Sequence, residues 1–329
     1  MNDTQILSFP HLLATEPVIL GEGAVIERLR RNPAIVLDPH VVNSALIYQP
    51  DSCKVLADIC REYLDIGQQF DLPLLLSTPT WRANGERIAA SGLSGHDVNG
   101  DNARFLAELR RGYGDYGRKV VICGLMSCKG DAYNSAEALD TNAAREFHRW
   151  QADALAASGV DFLLAATLPA LSEATGLAQA LAATGLPYVI SVLVCPRGTL
   201  LDGTPLSAAI AAIDASSSTR PLAYLVNCTH ASVFRQVLLQ EINAVPLVRE
   251  RVIGLLANTS PLSPEELDNS AELAEEDPTV FGSTVAALHK DFGMKLLGGC
   301  CGTDDRHIRC LAERLAGYRS GSINSLSSF

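Results

Sequence analysis

The sequence predicts a single (β/α)8 barrel of the TIM type, class α/β, on three observations. Eight short apolar runs of strand type recur along the chain, each followed by a segment whose apolar residues have helical spacing. The chain has 329 residues, 47% of them apolar, which supports one large core. No Gly-x-Gly-x-x-Gly fingerprint follows the first run and no Walker-type Lys-Ser/Thr occurs, so a doubly wound nucleotide-binding sheet is disfavoured. Irregular connections are expected between some units. In a barrel of this kind the chemistry sits at the C-terminal ends of the strands.

Residues 1–16 read as a loose N-terminal arm. The run Pro17–Gly23 is an apolar strand broken by glycines, which puts Glu22 at a strand-to-helix turn, where an acid also complements a helix N-terminus. Val25–Arg31 reads as a helix stopped by Asn32-Pro33. Asp38-Pro39 opens a further segment through Ile47. Asp51–Gln68 is an amphipathic helix with Val55, Leu56, Ile59, Tyr63, Leu64 and Ile66 at near-helical spacing. Leu72–Ser77 is the second strand, leaving through Thr78–Ala83.

The alternation continues with helix Asn102–Tyr113, strand Lys119–Gly124, helix Thr141–Ser158 and strand Val160–Pro169. Helix Glu173–Ala183, strand Pro187–Val194, helix Leu206–Ala215 and strand Leu222–Cys228 come next. Helix Ser232–Ala244 and strand Val252–Asn258 lead to an acidic, polar stretch, Pro264–Glu276, which reads as a surface insertion. Helix Pro278–Phe292, strand Lys295–Gly299 and helix Asp305–Arg319 complete a domain over residues 17–319. The serine-rich end, 320–329, reads as frayed.

Charge and composition exclude several functions. Lys plus Arg number 26 against 37 Asp plus Glu, a net charge of −11. Phosphate contacts need clustered cations, so no nucleic-acid partner is expected. No run approaches the ~18 apolar residues of a membrane span, and no basic-then-apolar leader opens the chain. Nine cysteines in a chain without an export signal point to the cytoplasm, not to a disulfide framework. Oligomeric state is left open.

Two stretches concentrate the chemistry. Leu296-Leu-Gly-Gly-Cys-Cys-Gly302 puts Cys300 and Cys301 just past the last strand. Neighbours on a regular strand point to opposite faces, so glycine-permitted turning at Gly298, Gly299 and Gly302 is expected to aim both sulfurs at one point. Cys228 closes the apolar run Leu222–Asn227 in the same way. Three thiolates at strand ends with one position left open is how a catalytic zinc is held, so Cys228, Cys300 and Cys301 are assigned as zinc ligands. Zn²⁺ with three thiolates carries formal charge −1, which favours alkyl transfer to a bound sulfur over carbonyl hydrolysis. A vicinal disulfide at Cys300-Cys301 is the competing reading. Cys53, Cys60, Cys123, Cys128, Cys195 and Cys310 read as structural, as does His148 in mid-helix.

Asn227-Cys228 and Gly298-Gly-Cys-Cys-Gly-Thr303, followed by His307-Ile308, resemble the zinc-binding motifs of the homocysteine S-methyltransferase family, which includes enzymes using betaine or S-methylmethionine. The resemblance runs along nearly the whole chain. It implies a zinc-dependent methyltransferase, its partners a small-molecule thiol acceptor and a sulfonium or quaternary ammonium donor, with homocysteine giving methionine. Glu22-Gly23-Ala24 resembles the family's Asp-Gly-Gly, and Thr80-Trp81-Arg82-Ala83 its Thr-Tyr-Gln-Ala. Trp81 is either core or a wall for a methyl-bearing cation. Thr167, Pro169 and Glu173 match the pattern around the fourth strand, and Asn258 an asparagine after the seventh. Substrate binding is therefore expected at Glu22, Thr80, Trp81, Thr167 and Asn258. The resemblance gives His230 no role as a ligand, and His307 is expected to fix loop geometry.

Two places depart from the pattern. Gly124-Leu-Met-Ser127 stands where the family has a Gly-Pro-Tyr-Gly turn. Ala166 stands where the family has the Glu that commonly holds the substrate amino group, and a methyl cannot pair with an ammonium. Those departures keep open a methyltransferase for a different thiol, and a non-catalytic zinc- or thiol-binding relative.

Overall fold

A computed structural model of the chain describes residues 6–261 and 276–324. Its strands are β1 (Ile19–Gly21), β2 (Leu74–Ser77), β3 (Val120–Met126), β4 (Phe162–Leu168), β5 (Tyr188–Val192), β6 (Ala223–His230), β7 (Val252–Asn258) and β8 (Leu296–Gly299). All pair in parallel and in sequence order, and β8 returns to β1 through Ile19↔Leu296 and Leu20↔Leu297 to close the barrel. The helices that alternate with them are α1 (Phe9–Thr15), α2 (Ile26–Arg31), α3 (Pro50–Gln69), α4 (Gly85–Ala90), α5 (Val98–Arg111), α6 (Thr141–Ala157), α7 (Leu171–Ala182), α8 (Leu206–Ser216), α9 (Ala231–Leu239), α10 (Pro246–Arg251), α11 (Pro278–Phe292) and α12 (Asp305–Asn324).

The two-residue period of the strands sorts the core into layers. On β4, Phe162, Leu164 and Ala166 fill the barrel interior, while Leu163 and Ala165 face the helices. On β2, Leu75 points in and Leu74 and Leu76 point out. The strands are apolar on both faces, which is why they appear in the sequence as unbroken runs and not as alternation. Closing β8 onto β1 brings two backbones together: a Cβ on Gly298 would lie 2.6 Å from the Gly21 Cα. Gly298 and Gly299 are therefore close-packing residues within β8 and not turning residues. Of the three glycines expected to turn the chain, only Gly302 is left-handed, at φ 83°.

The N-terminal end of the barrel corrects a second expectation. Part of the arm expected to be loose is helix α1, capped by Ser8, with Pro10 in its first turn. Phe9 and Leu12 are fully buried against the interior layer, and the Phe9 and Phe162 rings stack with centroids 4.0 Å apart. This helix plugs the end of the barrel opposite the cysteines. Two short helices, α4 and α10, were not expected. The last helix runs on to Asn324, beyond the expected Arg319 boundary, and residues 325–329 lie outside the described ones. The insertion expected over Pro264–Glu276 also lies outside them, except for Glu276.

Because Phe9 fills a space that nothing else can close, Phe9→Ala is expected to lose about 3–5 kcal/mol of stability, the usual cost of a buried phenylalanine. Chemical denaturation followed by far-UV circular dichroism measures it, and a loss below about 1 kcal/mol would mean that α1 is not part of the core.

Candidate metal centre

At the C-terminal rim two strands break their period, and the site is built on those breaks. Thr167 on β4 has φ 61° and Cys228 on β6 has φ 51°, and the pairing register shifts at both places. A bulge of this kind re-aims a side chain. It lets the sequence neighbours Ala166 and Thr167, and likewise Asn227 and Cys228, all face one cavity. The side chain of Asn227 ties the two bulges together. Its Oδ1 accepts from the Thr167 amide (2.9 Å) and from Ser191 Oγ (2.7 Å). Its Nδ2 donates to Thr167 Oγ1 (2.7 Å) and to Cys228 Sγ (3.4 Å).

The other two cysteines leave β8 on a loop held from three sides. The Cys300 amide donates to Ala257 O (2.7 Å) and the Cys301 amide to Asn258 Oδ1 (3.0 Å). Thr303 Oγ1 donates to Cys300 O (2.7 Å) and accepts from the Ala24 amide (2.9 Å), and the Gly302 amide donates to the Glu27 carboxylate. The three Sγ atoms then lie within 4.8 Å of one another, Cys228 and Cys300 at 2.8 Å, and all three residues line the cavity. Hydrogen bonds from Cys300 and Cys301 hold Cys228 well below the usual thiol range, against the effect of burial. The same bonds push Cys300 well above it, and Cys301 rises to about 12. Three sulfurs this close repel one another once deprotonated, so a cation between them would stabilise the ionised set. The donor set, three thiols on a polar rim, fits zinc.

The cavity has a volume of about 330 Å³. Of the residues expected at the substrate, Glu22, Trp81 and Thr167 line it. Thr80 and Asn258 do not. Thr80 is fully buried behind the wall, its hydroxyl 2.6 Å from that of Thr78 and donating to Leu125 O (2.8 Å). Asn258 is spent on the Cys301 amide. Both position loops and do not face the cavity. The cavity-lining Tyr133, whose hydroxyl hydrogen-bonds Cys228, was not expected, and neither was Glu27. A lone loop tyrosine and a helix acid carry no signal in the sequence that sets them apart. The loop that carries Tyr133 is anchored at both ends by a buried pair: His148 Nε2 meets Glu173 Oε1 at 2.9 Å, and Glu173 accepts from the amides of Lys129 (2.7 Å) and Leu139 (3.2 Å). His148 is thus structural, as expected. His230 caps α9 through its contacts with Ser232, and His307 pairs with Asp304, fixing the loop.

Fold and site together define a barrel enzyme with three converging thiols open to a rim cavity. A family model described as homocysteine S-methyltransferase matches residues 19–315, and the chain belongs to that family. It is a thiol methyltransferase. Betaine–homocysteine S-methyltransferase 1 of Bos taurus is 25% identical over 330 residues, covering 92% of this chain and 73% of that protein. Homocysteine S-methyltransferase YbgG of Bacillus subtilis (strain 168) is 26% identical over 335 residues, covering 92% and 96%. The metallated structure of the homocysteine methyltransferase MmuM from Escherichia coli superposes with a TM-score of 0.72 at 21% identity, covering 92% of this chain and 98% of that one.

Glu22 gives a test of the cavity's electrostatics. Burial pushes its carboxyl up to about 7, although Oε1 accepts from the Ser77 amide at 2.8 Å. The folded state therefore binds a proton that the unfolded state releases near pH 4.5, so stability falls as pH rises from there through 7. Partial exposure of the Glu22 side chain tempers the effect to about 1–3 kcal/mol. Glu22→Gln removes the ionisation and is expected to be the more stable protein at pH 8, the gap closing by pH 5. Equal differences in melting temperature at both pH values would show Glu22 to be ionised throughout.

Proposed function

We propose that Cys228, Cys300 and Cys301 hold one zinc ion and that the chain moves a methyl group from a sulfonium or quaternary ammonium donor to a thiol, homocysteine being the acceptor that the family implies. The observation that carries this reading is the convergence of three sulfurs on one point of a cavity lined by Glu22, Trp81 and Thr167. When bound, zinc keeps the acceptor sulfur deprotonated at neutral pH, and three thiolate ligands leave that sulfur electron-rich.

The protein's own residues supply the rest. Asn227 fixes the Cys228 sulfur by a side-chain N–H and holds the two bulges in register. The plugged barrel and the apolar floor of Leu75, Leu164 and Ala166 keep bulk water from beneath the reacting atoms. Trp81 offers an aromatic face to a cation, a contact worth about 0.5–2 kcal/mol. The donor loses its positive charge as its methyl leaves, so no acid is needed at the leaving group. Holding the two reactants in line is the main contribution left to the protein, and such alignment supplies up to about 7–11 kcal/mol of a barrier.

The site is proposed to work in the cytoplasm, in keeping with nine cysteines that are all free thiols. Among the described residues no helix is long and apolar enough to cross a membrane.

Metal analysis tests the assignment: the purified protein should carry about one zinc per chain, and Cys301→Ala should lose most of it. Unchanged zinc in that variant would place the metal elsewhere.

Acceptor choice turns on Ala166, which faces the cavity from β4 at 7% exposure. An ammonium lacking its carboxylate partner binds roughly thirtyfold or more less tightly. Ala166→Glu is expected to lower the KM for homocysteine by about tenfold or more and to raise it for 4-sulfanylbutanoate, which lacks the amino group. If the ratio of the two KM values does not move, position 166 takes no part in acceptor recognition.

A further inference from the structure

The exit of β2 brings a cation into the cavity that the chemistry above does not use. Arg82 lines the cavity and is only 9% exposed. Its Nη1 donates to the carbonyls of Cys128 (3.1 Å), Lys129 (3.2 Å) and Gly130 (2.6 Å), all neutral acceptors. Among the described residues no carboxylate forms an ion pair with it. Glu173, behind it, is committed to His148 and two amides, and Asp131 is exposed at the mouth of the cavity. The guanidinium lies 4.5 Å from the Trp81 ring centroid, and Trp81 Nε1 is itself buried with no acceptor among the described residues. A buried guanidinium on which Asp131 and Glu173 act only at a distance, beside an unused indole N–H, is costly unless an anion completes it. Arg82 also stands where the family pattern has a neutral glutamine, and Ala166 where it has an acid, so these two positions together are two charge units more positive than that pattern.

The position of this pair selects which substrate it serves. In a closed barrel of eight strands in sequence order, β2 lies across from β6, which carries Cys228. An acceptor sulfur placed beside the cysteines of β6 and β8 attacks the donor methyl in line, which puts the donor on the far side, where β2, β3 and Trp81 stand. We propose that Arg82, with Trp81 Nε1, receives a carboxylate on the methyl donor and thereby fixes donor choice. This inference rests on the methyl-transfer reading above. In the step it serves, the acceptor thiolate forms the new S–CH3 bond. The bond from the methyl to the donor sulfonium breaks with its electron pair going to the donor sulfur, and a neutral thioether bearing the carboxylate departs.

Calorimetric titration of the zinc-loaded protein without any thiol, so that nothing turns over, isolates the subsite. The probes are (2-carboxyethyl)dimethylsulfonium and trimethylsulfonium. The unsubstituted protein is expected to prefer the carboxylate-bearing probe by roughly thirtyfold or more, the usual effect of removing one partner of a buried charge pair. Arg82→Gln should bring that ratio close to one, Arg82→Lys should restore part of it, and Trp81→Phe, which removes only the N–H donor and one ring, should narrow it. Equal binding of the two probes by the unsubstituted protein overturns the proposal. So does an equal weakening of both by Arg82→Gln, which would leave Arg82 as a staple for residues 128–130. A sound preference in this titration with no methyl transfer to any thiol would count against the functional reading and leave the subsite standing.

Discussion

One side-chain amide holds the arrangement on which the site depends. Thr167 and Cys228 both sit in the left-handed region, which costs a non-glycine residue about 1–3 kcal/mol. Asn227 makes four hydrogen bonds around them, to Thr167 twice, to Ser191 and to the Cys228 sulfur. At about 1 kcal/mol each these offset much of the cost. Without the two bulges the strand period would send Cys228 to the helix side of β6, and the cavity would lose both its sulfur and the Thr167 hydroxyl. The asparagine that precedes the cysteine is therefore part of the three-thiol site without contributing a sulfur.

Charges of both signs line the cavity around those sulfurs. On the β1 side lie Glu22 and Glu27, with Arg30 beside them. On the β2 and β3 side lie Trp81, Arg82 and the loop carrying Asp131 and Tyr133. A reaction that joins an anionic sulfur to a cationic methyl group finds groups of either sign there. Burial strengthens such pairings, since low-dielectric walls screen charge weakly.

The strands and the three converging cysteines were legible in the sequence for different reasons. Strands covered on both faces leave continuous apolar runs, so Val252–Asn258 could be bounded to the residue. Adjacent cysteines between glycines have few structural uses, so Cys300 and Cys301 identified themselves. Legibility ended where orientation mattered. A strand-end position tells which rim a residue occupies but not which way it faces, so Thr80 and Asn258 read like Glu22 and Thr167, although they sit behind the wall. The helix at Phe9–Thr15 was missed because seven residues give too few turns for a periodic signal, and its stability comes from packing on Phe162 and not from propensity. The loop that carries Tyr133 is anchored at Lys129 and Leu139 by a His148–Glu173 pair made 25 residues apart, which no local pattern reveals.

The seam between β1 and β8 has a further consequence, for the order in which the molecule is made. The first strand finds its second neighbour only when Leu296 and Leu297 exist, about 277 residues later in synthesis. Cys228 emerges well before Cys300 and Cys301, so the three sulfurs meet only when the last strand has docked. The rim that carries them is the last part of the barrel to be completed, and it is completed by the finished polypeptide.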